Sequence, residues 1–380
     1  MTAAADGAAL RVLHFVTGGF SGATQVAVDL VRSALEPGST TQPLLVLRRK
    51  RQADPARTEA LRASGMPVEV VPGWSHAATI AALVRVCRRF GPAVLVAHGF
   101  SEHLWGRYAG LLAGVPHLVH VEHNSRERYT RWRLAQARWL ARRTDRIVGV
   151  SEGVTQRLRE LGFPPERLCT IGNGIRLEAY ADATHHPYAQ RNPALLMSAR
   201  YSRQKDHACL VRALALLRER GLEPPLRLAG GGSARHREQV RRLAHQLGVQ
   251  DRIEWLGHRD DMPQLLMATS ICILATHYEG MPLALLEGMA AGCAVVASAV
   301  PGVRELLRDG DTGRLVPEGD ATALADAIEQ LLRDPAAAAR MAEAGRREAL
   351  ELRGRTLMLA RYDAMLRSVV ARTAVDEAAP

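Results

Sequence analysis

Two glutamates at the start of a helical segment are the most informative candidates for chemistry in this sequence. Glu279 follows an apolar run that ends near residue 275, and Glu287 lies eight positions further on. Gly280 permits close approach of the backbone, and Pro282 suits the first turn of a helix. Free backbone N–H groups at such a helix start attract phosphate or sugar oxygens. The segment therefore predicts a ligand with many hydroxyl groups that also carries phosphate; two exposed surface glutamates are the alternative.

A second segment supplies positive charge at another strand end. Arg200 and Lys205 follow the apolar run at residues 195–199 and precede a helical pattern. Arginine offers oxyanions a bidentate fork, whereas lysine is a mobile point charge. The chain has 48 arginines and only two lysines, Lys50 and Lys205, which hints that arginine would not serve at position 205. The pair predicts a pyrophosphate site, with a solvated loop as the alternative.

Glycines and histidines mark further strand ends in the first half of the sequence. Gly18 and Gly19 lie between the first strand and the first helix, where glycine lets the backbone approach a ligand. The complete dinucleotide fingerprint is absent, and the next strand ends in the basic run 48–51, which disfavours NAD but leaves NADP open. His98 and His123 follow two later apolar runs. Each imidazole could hydrogen-bond a sugar hydroxyl, and a structural role is the alternative.

Neither the histidines nor the cysteines suggest a metal centre or a disulfide framework. The 14 histidines form no close metal-binding pattern, and the five cysteines are scattered and odd in number. Asp309 and Asp311 are formally an Asp-x-Asp pair, but they follow a helical run, so a solvated turn is predicted. We therefore expect no metal and no other cofactor, and the scattered thiols favour a reducing cytoplasm.

These side chains can lie close together only if the strands that precede them end along the same edge of a sheet. Short, near-continuous apolar runs alternate with helical patterns, as in parallel sheets that are buried on both faces. The predicted strands cover residues 10–16, 43–47, 68–71, 93–97, 117–121, 146–150, 168–171, 195–199, 226–229, 253–256, 271–275, 294–297 and 314–316. The predicted helices cover residues 23–35, 77–90, 102–113, 129–142, 152–161, 206–220, 235–247, 282–291, 321–332, 336–350 and 353–372. The alternation predicts an α/β protein with right-handed parallel crossovers.

The chain of 380 residues is long enough for two or three domains at about 150 residues each. A polar stretch with proline and histidine, residues 182–193, separates two similar series of elements and predicts a linker. We therefore expect two Rossmann-like doubly wound domains, residues 1–181 and 182–352, with ligands at the carboxyl ends of their strands. Residues 353–380 are expected to form a last helix that packs on the first domain, followed by an unstructured tail.

Residues 277–317 resemble the donor-binding signature of the retaining glycosyltransferases of family 4. Those enzymes have the GT-B fold, in which two Rossmann-like domains face a central cleft. Their Glu-x7-Glu element corresponds to Glu279 and Glu287, and their phosphate-binding arginine and lysine match Arg200 and Lys205. The resemblance spans most of residues 10–350 and is strongest in the second half.

The first-half matches are fewer, and the signature itself shows two departures. The family's early glycine loop matches Gly18-Gly19, its active-site histidine best matches His123, and its Asn-Gly-Ile segment matches Asn173 and the two residues that follow. Many members read Glu-Gly-Phe-Gly where this chain reads Glu-Gly-Met-Pro from residue 279. Gly288 stands where alanine is common, which weakens the helix by roughly 1 kcal/mol.

The resemblance implies transfer of a sugar from a nucleoside-diphosphate donor, UDP favoured, to a hydroxyl group with retained anomeric configuration. Arg200, Lys205 and helix-start amides would stabilise the charge of the leaving diphosphate without a metal. Glu279 would hold donor-sugar hydroxyls, Glu287 would hold ribose hydroxyls, and His123 would orient the sugar. The remaining donor contacts implied by the resemblance are Gly18, Gly19, Asn173, Gly280, Met281, Pro282 and Leu283.

The net charge of +11 is concentrated in the first half, which points to an anionic partner there. Residues 1–180 hold 24 basic and 14 acidic side chains, whereas residues 181–380 hold 26 and 25. Eight arginines occur at positions 126, 128, 131, 133, 138, 142, 143 and 146. Trp132 and Trp139 share one face of the predicted helix, and such a helix can rest on an anionic bilayer. We predict that His98, Arg131, Trp132 and Trp139 contact a glycan or lipid-linked acceptor or the membrane; tryptophans in the core are the alternative.

The expected location is the cytoplasm, with peripheral association on the inner face of the cytoplasmic membrane. No apolar run approaches the roughly 18 residues of a membrane span, and residues 1–9 lack the features of a secretory signal. Three other functions stay open: another sugar-nucleotide enzyme such as an epimerase, a basic nucleic-acid-binding protein, and a catalytically inactive binding subunit. The aromatic content of 4% and the near-neutral second half argue against nucleic acid.

Overall fold

The computed structural model describes residues 9–50, 55–126 and 129–376 and contains two compact units. The first unit holds the chain up to Gly172 together with the residues from Met358 onward, and the second holds Asn173–Leu357. Each unit contains one parallel sheet flanked by helices. The predicted class, an α/β protein with two doubly wound units, is therefore confirmed.

The first unit contains a seven-stranded sheet in the order β3-β2-β1-β4-β5-β6-β7. Its strands are β1 Leu10–Thr17, β2 Thr41–Arg48, β3 Val68–Val71, β4 Val94–His98, β5 His117–Glu122, β6 Arg146–Gly149 and β7 Leu168–Thr170. Its helices are α1 Gly22–Ser33, α2 Pro55–Ala63, α3 His76–Phe90, α4 Phe100–Ala113, α5 Arg131–Ala141 and α6 Glu152–Glu160. Every residue of the central strands β4 and β5 is buried, which explains the apolar run at residues 94–97 and means that the polar residues of β5, His117, His120 and Glu122, need bonded partners.

Two glycines let α4 lie directly on this sheet. A Cβ on Gly106 would come within 2.8 Å of the Phe15 ring, and a Cβ on Gly110 within 2.5 Å of a Leu118 methyl group. Both separations are shorter than packed carbon atoms tolerate. The first turn of α4 is thereby held beside the carboxyl end of β4, which it follows directly.

The second unit contains a six-stranded sheet in the order β10-β9-β8-β11-β12-β13. Its strands are β8 Asn192–Ser198, β9 Leu226–Ala229, β10 Ile253–Gly257, β11 Thr269–Leu274, β12 Ala294–Ser298 and β13 Arg314–Val316. Its helices are α7 His207–Glu219, α8 Ala234–Gln246, α9 Met262–Met267, α10 Leu283–Ala290, α11 Pro301–Arg304, α12 Ala321–Arg333 and α13 Pro335–Leu352. The largest part of its buried core joins this sheet to α7 and α12.

The division between the units precedes the predicted boundary at 181/182. Residues 182–193, expected to be a linker, belong to the second unit and include parts of two 3-10 segments, Leu177–His185 and Tyr188–Gln190. Tyr180 and Ala183 are buried, and Arg346 donates a hydrogen bond to the Tyr180 carbonyl at 3.3 Å. The polar residues of this stretch therefore form the exposed side of a packed segment.

The last helix, α14 Arg355–Asp376, lies near the predicted bounds 353–372. From Met358 onward its residues belong to the first unit, where Tyr362 is buried and Arg367 donates a hydrogen bond to Thr40 Oγ1 at 3.0 Å. The predicted tail at residues 377–380 lies outside the described residues. None of the helices described here has the length and apolar character that crossing a membrane requires.

In each sheet, the order of strand addition reverses beside the unit's first strand. β4 lies next to β1 in the first sheet, and β11 lies next to β8 in the second. Ligands of open parallel sheets bind outside the carboxyl ends of the strands at such a reversal. The fold therefore marks two places for functional side chains: the ends of β1 and β4, and the ends of β8 and β11.

Candidate functional site

Lys205 and Glu279 form a buried ion pair at the ends of β8 and β11. The Lys205 ammonium donates to Glu279 Oε1, and the Thr276 hydroxyl donates to the same oxygen at 2.8 Å. The Glu279 side chain is 8% exposed and the Lys205 side chain is 13% exposed. The sequence predicted that each side chain contacts a ligand, and the structure places the two in contact with each other.

Backbone hydrogen bonds between two loops bring this pair together. Lys205 and Thr276 form an isolated antiparallel bridge, and the His277 N–H donates to the Gln204 carbonyl at 2.9 Å. Thr276 is fixed in turn by Ser298 at the end of β12, whose hydroxyl accepts from the Thr276 N–H at 3.0 Å. The loops that follow β8 and β11 therefore act as one hydrogen-bonded layer.

The start of α10 presents backbone N–H groups shortly after Glu279. Pro282 is the N-cap residue, no side chain in the described part of the chain caps this end, and the Leu285 N–H donates to the Pro282 carbonyl at 3.2 Å. The N–H groups of Leu283 and Ala284 precede that bond and have no partner within the helix. Such groups bind phosphate oxygens and carry the positive end of the helix dipole. The observed helix begins one residue after the predicted start at Pro282.

Asn173 and Gly302 hold the segment before α10 in place. The Asn173 side-chain amide donates to the Met281 carbonyl at 2.9 Å, and the Asn173 N–H lies 3.1 Å from Met281 Sδ. A Cβ on Gly302 would lie 1.9 Å from the Gly280 carbonyl oxygen, so α11 packs directly on this segment. Asn173 and Met281 are both buried. The contact that the structure gives Asn173 is therefore a support of Met281, whereas its predicted contact with a donor stays a prediction.

Arg200 and Glu287 differ in their surroundings. Arg200 follows β8 and is exposed, and no side chain among the described residues pairs with it. Glu287 is half-buried on α10, and its charge adds to burial in raising the pKa of Tyr180. The ligand roles of both side chains stay predictions.

In the first unit, the glycine loop after β1 lies against the end of β2. The Gly18 N–H donates to the Arg48 carbonyl at 2.8 Å, and a Cβ on Gly18 would lie 2.8 Å from the same oxygen. A Cβ on Gly19 would lie 3.8 Å from Lys50 Cγ. The predicted glycine loop is thus placed beside the basic end of β2, and a side chain at Gly18 would force the two apart.

Three histidines form a row across β1, β4 and the residue after β5, in which His14 and His98 are buried and His123 is half-buried. His14 Nδ1 lies 3.1 Å from His98 Nε2, and His98 Nδ1 lies 3.3 Å from His123 Nε2. Burial lowers the pKa of His14 to about 4 and that of His123 to about 3, so both imidazoles are neutral at pH 7. His98 is fully buried. Contrary to the prediction, His98 has no ring nitrogen left for an acceptor, because both nitrogens face other imidazoles.

A second buried group contains His103, His120 and Glu122, with possible ligand atoms within 4.8 Å of one another. The buried Arg107 guanidinium donates to His103 Nδ1, and the Tyr129 hydroxyl lies 2.9 Å from His103 Nε2. Both nitrogens of His103 are therefore engaged, and the adjacent guanidinium opposes a second cation. This donor set does not suit a metal ion.

The segment rich in arginine and tryptophan is exposed. Trp132 is 73% exposed and Trp139 is 45% exposed on α5, so the alternative that places them in the core is wrong. The Arg143 guanidinium stacks over the Trp139 ring at 3.9 Å from its centroid, and Arg131 is exposed. Arg128, one of the eight arginines, lies outside the described residues with Glu127. The face therefore combines apolar rings with positive charge.

Several supporting residues were missed in the sequence. Thr276 and Ser298 stand at the ends of predicted strands, where their hydroxyl groups were the available signal. His14 interrupts an otherwise apolar strand, and a polar residue in a buried run usually has a bonded partner. Asp309, in the predicted solvated turn, accepts a hydrogen bond from the Leu315 N–H at 2.9 Å.

Family models match both halves of the chain. The model described as Glycosyltransferase Family 4 matches residues 20–179. The model described as Glycosyl transferases group 1 matches residues 183–348. The second match contains the Lys205–Glu279 pair and α10, and the first contains His98 and His123 but not His14.

Curated relatives align with part of the chain. The lipopolysaccharide core biosynthesis glycosyltransferase LpsE of Rhizobium meliloti is 30% identical over 205 residues, which are 54% of this chain and 58% of that protein. Glycogen synthase of Mycobacterium tuberculosis is 32% identical over 216 residues, which are 55% of this chain and 50% of that protein. The chain therefore spans little more than half the length of these relatives.

Solved structures reproduce the fold over nearly the whole chain. The crystal structure of HepE from Anabaena in complex with UDP-glucose superposes with a TM-score of 0.82 at 22% sequence identity. The match covers 94% of this chain and 99% of that one. A likeness at this identity establishes the two-unit architecture alone. The chemistry has to be argued from the residues of this chain.

Proposed function

We propose that this chain, which belongs to the family 4 glycosyltransferases of the GT-B fold, transfers a sugar from a nucleoside-diphosphate donor with retained configuration. UDP is the favoured nucleotide, and the acceptor is a hydroxyl group of a glycan or lipid-linked molecule. The observation that carries this proposal is the buried Lys205–Glu279 pair where β8 meets β11, followed by the uncapped start of α10. Positive charge, a carboxylate and unbonded N–H groups together suit a ligand that has both phosphate and hydroxyl groups.

The residues of the second unit act on the leaving group. In the transfer, the bond between the anomeric carbon and the diphosphate oxygen breaks, and the acceptor oxygen bonds to the same face of the sugar. The acceptor proton is released, and negative charge grows on the diphosphate. Lys205, Arg200 and the N–H groups at the start of α10 stabilise that charge because they are fixed before the reaction begins. The ion pair with Glu279 keeps the Lys205 ammonium in position without a divalent cation.

The carboxylates bind hydroxyl groups of the donor. Glu279 Oε1 is occupied by Lys205 and Thr276, so its second oxygen is the one available to a sugar hydroxyl. Glu287, four positions after Leu283 on α10, binds the ribose hydroxyls. His123 in the first unit is neutral and accepts or donates a single hydrogen bond to the sugar.

The acceptor belongs to surface polysaccharide assembly, and the enzyme works at an anionic membrane surface. The name of the relative LpsE, which concerns lipopolysaccharide core biosynthesis, supports this class of acceptor. The exposed rings of Trp132 and Trp139 among arginines support the membrane surface. The UDP-glucose complex of HepE supports a UDP-sugar donor.

A thermal-shift panel of UDP-, GDP- and ADP-sugars tests the donor part of the proposal. The matching donor should raise the melting temperature of the full chain by mass action. Lys205→Met should abolish that shift, whereas Arg203→Met, which removes an exposed arginine two residues away, should retain it. A panel without any shift, or an equal shift in Lys205→Met, would contradict the proposed donor site.

Incubating the best donor without an acceptor separates transfer from sugar-nucleotide conversion. A glycosyltransferase should leave the donor sugar intact or hydrolyse it slowly, whereas an epimerase converts it to a new nucleotide sugar. Proton NMR of the donor distinguishes these outcomes, and stoichiometric conversion would replace the proposal by the epimerase. Salt-dependent binding of DNA without any response to nucleotide sugars would instead favour the nucleic-acid alternative.

A further inference from the structure

The two lysines of the chain have the same type of partner. Lys205 pairs with Glu279, and Lys50 Nζ lies 3.1 Å from Glu102 Oε1. The two glutamates are both buried, with side chains 8% and 5% exposed. The chain has 48 arginines and two lysines, and each unit contains one of the lysines paired with a buried glutamate. The use of lysine at these two positions therefore indicates a shared requirement.

The two glutamates also occupy corresponding places in the two sheets. Glu279 follows β11, the neighbour of β8, and Glu102 follows β4, the neighbour of β1. These strand pairs mark the reversal of strand order, where ligands of parallel sheets bind. The Lys50–Glu102 pair thus lies at the second of the two places that the fold marks.

Arg48 adds a second cation, and part of its hydrogen-bonding capacity is unused. Its guanidinium lies 3.5 Å from Glu102 Oε1, its side chain is 7% exposed, and its Nε has no hydrogen-bond partner among the described residues. A buried guanidinium N–H without an acceptor is costly, so such groups usually serve a ligand or a bound water. The Lys50 side chain is 40% exposed, which leaves the ammonium accessible from solvent.

The local charge balance favours an anion. One carboxylate, Glu102, stands against the two cations Arg48 and Lys50. The nearby imidazole of His76 is subject to the same charges: desolvation and then the charges of Arg48, Arg133 and Lys50 lower its pKa, whereas the charge of Glu102 raises it. The glycine loop lies against this cluster, since Gly18 bonds to the Arg48 backbone. A small oxyanion therefore has two cations and an exposed approach.

We propose that Arg48, Lys50 and Glu102 form an oxyanion-binding site in the first unit, which binds a phosphate or carboxylate group of the acceptor. The identity of the ligand as the acceptor rests on the proposed function, whereas anion binding at this site does not. Lys50 contacts the anion directly, Arg48 supplies its Nε–H, and Glu102 keeps the two cations in place. Such a site would account for part of the excess of basic residues in the first half of the chain, because its ligand is an anion.

Isothermal titration of the full chain with inorganic phosphate, in the presence of saturating UDP, tests this site. UDP occupies the phosphate-binding groups of the second unit, so the remaining phosphate binding reports the first. Lys50→Met should weaken phosphate binding about tenfold, the effect of one charge-assisted hydrogen bond. Arg49→Met removes the same charge from the adjacent exposed residue and should change the affinity little. Equal affinity in wild type and Lys50→Met would overturn the proposal.

Glu102→Gln separates a binding site from a structural ion pair. Removal of the carboxylate charge should tighten phosphate binding, because the two cations are then uncompensated; unchanged phosphate affinity in a folded Glu102→Gln variant would also overturn the proposal. A second titration with D-glucuronate identifies the source of the oxyanion. Lys50-dependent binding that is tighter for phosphate assigns a phosphorylated acceptor, and Lys50-dependent binding that is tighter for glucuronate assigns an acidic sugar.

Lys205→Met distinguishes failure of this site from failure of the proposed function. In that variant, UDP affinity should fall while Lys50-dependent phosphate binding persists. If the wild-type protein does not bind UDP but does bind phosphate in a Lys50-dependent manner, only the donor site is contradicted. Intact UDP binding with no Lys50-dependent phosphate binding would contradict the oxyanion site only.

Discussion

At the scale of single residues, Lys205 pairs with Glu279, and the proposed function gives it a second role, stabilisation of the leaving diphosphate. Lys205→Met should abolish transfer and lower the free energy of unfolding by about 3–5 kcal/mol, because it leaves a buried carboxylate without its cation. Urea unfolding and turnover measure the two effects separately. The double variant Lys205→Met/Glu279→Leu should recover stability without activity, and turnover close to wild type in Lys205→Met would contradict the role given to this lysine.

His98 is expected to orient His123 through the row that begins at His14. Neutral imidazoles in a row have one donor and one acceptor nitrogen each, so the tautomer of one fixes that of the next. His98→Gln should lower kcat by about tenfold or more while the donor KM changes little, since a wrong tautomer impairs an active-site imidazole. Nitrogen-15 NMR of His123 should show a mixture of tautomers in this variant. An unchanged kcat with a single tautomer would remove His98 from the mechanism.

The sequence indicated which residues are candidates for binding a ligand but not which of them contact each other. Glu279 and Lys205 were both recognised as ligand-binding candidates, because each follows a strand and precedes a helix start. Their contact depends on β8 and β11 being neighbours in the sheet, although the two residues are 74 positions apart. Strand order and register are set by packing of the whole sheet, which the local pattern of apolar residues does not encode.

At the scale of elements, Gly288 illustrates a departure that packing explains. A Cβ on Gly288 would lie 2.6 Å from Cys272 Sγ and 2.9 Å from Cys272 Cβ. Helix α10 therefore packs so closely on β11 that only glycine fits at position 288. Gly288→Ala should therefore destabilise the protein by up to about 2 kcal/mol, because an overpacking cost of about 1–3 kcal/mol exceeds the gain of about 1 kcal/mol in helix propensity. Urea unfolding of the single variant measures the difference.

A second substitution identifies the cause of that loss. Cys272→Ala removes the Sγ atom, so the double variant Cys272→Ala/Gly288→Ala should be more stable than the sum of the single changes predicts. Gly231→Ala is a suitable control, because no other atom lies within 4 Å of a Cβ at that position. Additive effects of the two substitutions would exclude the contact with Cys272.

Most strands and helices were predictable, and three helices were not. The strand runs and helices such as α7 and α12 have clear apolar patterns, and their observed bounds differ from the predicted ones by a few residues. Helices α9 and α11 were missed because six and four residues make too few turns for a periodic pattern, and α2 was missed because none of its residues is buried, so it has no apolar face. The segment at 182–193 was mistaken for a linker because 3-10 turns bury only isolated side chains, here Tyr180 and Ala183.

At the scale of the whole molecule, buried neutral histidines should make stability depend on pH. Burial lowers the pKa of His14 and of His207 from 6.5 to about 4 and that of His123 to about 3. The unfolded chain therefore binds more protons than the folded one, and stability should fall as the pH drops below about 6.5. Each of these histidines should lower the free energy of unfolding by roughly 2 kcal/mol between neutral pH and pH 5. Urea unfolding at several pH values measures this decrease.

The variant His207→Phe isolates one of these contributions. Its ring can retain the stacking of His207 on Tyr201, whose ring centroid lies 4.4 Å away, but it cannot bind a proton. The slope of stability against pH between 6.5 and 5 should become shallower. An identical slope in His207→Phe and wild type would mean that this imidazole does not titrate on unfolding.

The basic face of the first unit should bind anionic bilayers. The exposed rings of Trp132 and Trp139 would enter the headgroup region, and each nearby arginine, such as Arg131 and Arg143, would add about 1 kcal/mol. Sedimentation with phosphatidylglycerol vesicles should therefore recover more protein than sedimentation with phosphatidylcholine vesicles, and added salt should reduce the difference.

Trp132→Ser/Trp139→Ser should weaken binding at every salt concentration, since it removes the apolar contribution. Trp74→Ser, which removes a tryptophan that is 83% exposed outside this segment, should bind as wild type does. Equal recovery with neutral and anionic vesicles would exclude an electrostatic basis, and the basic first half would then serve the acceptor alone.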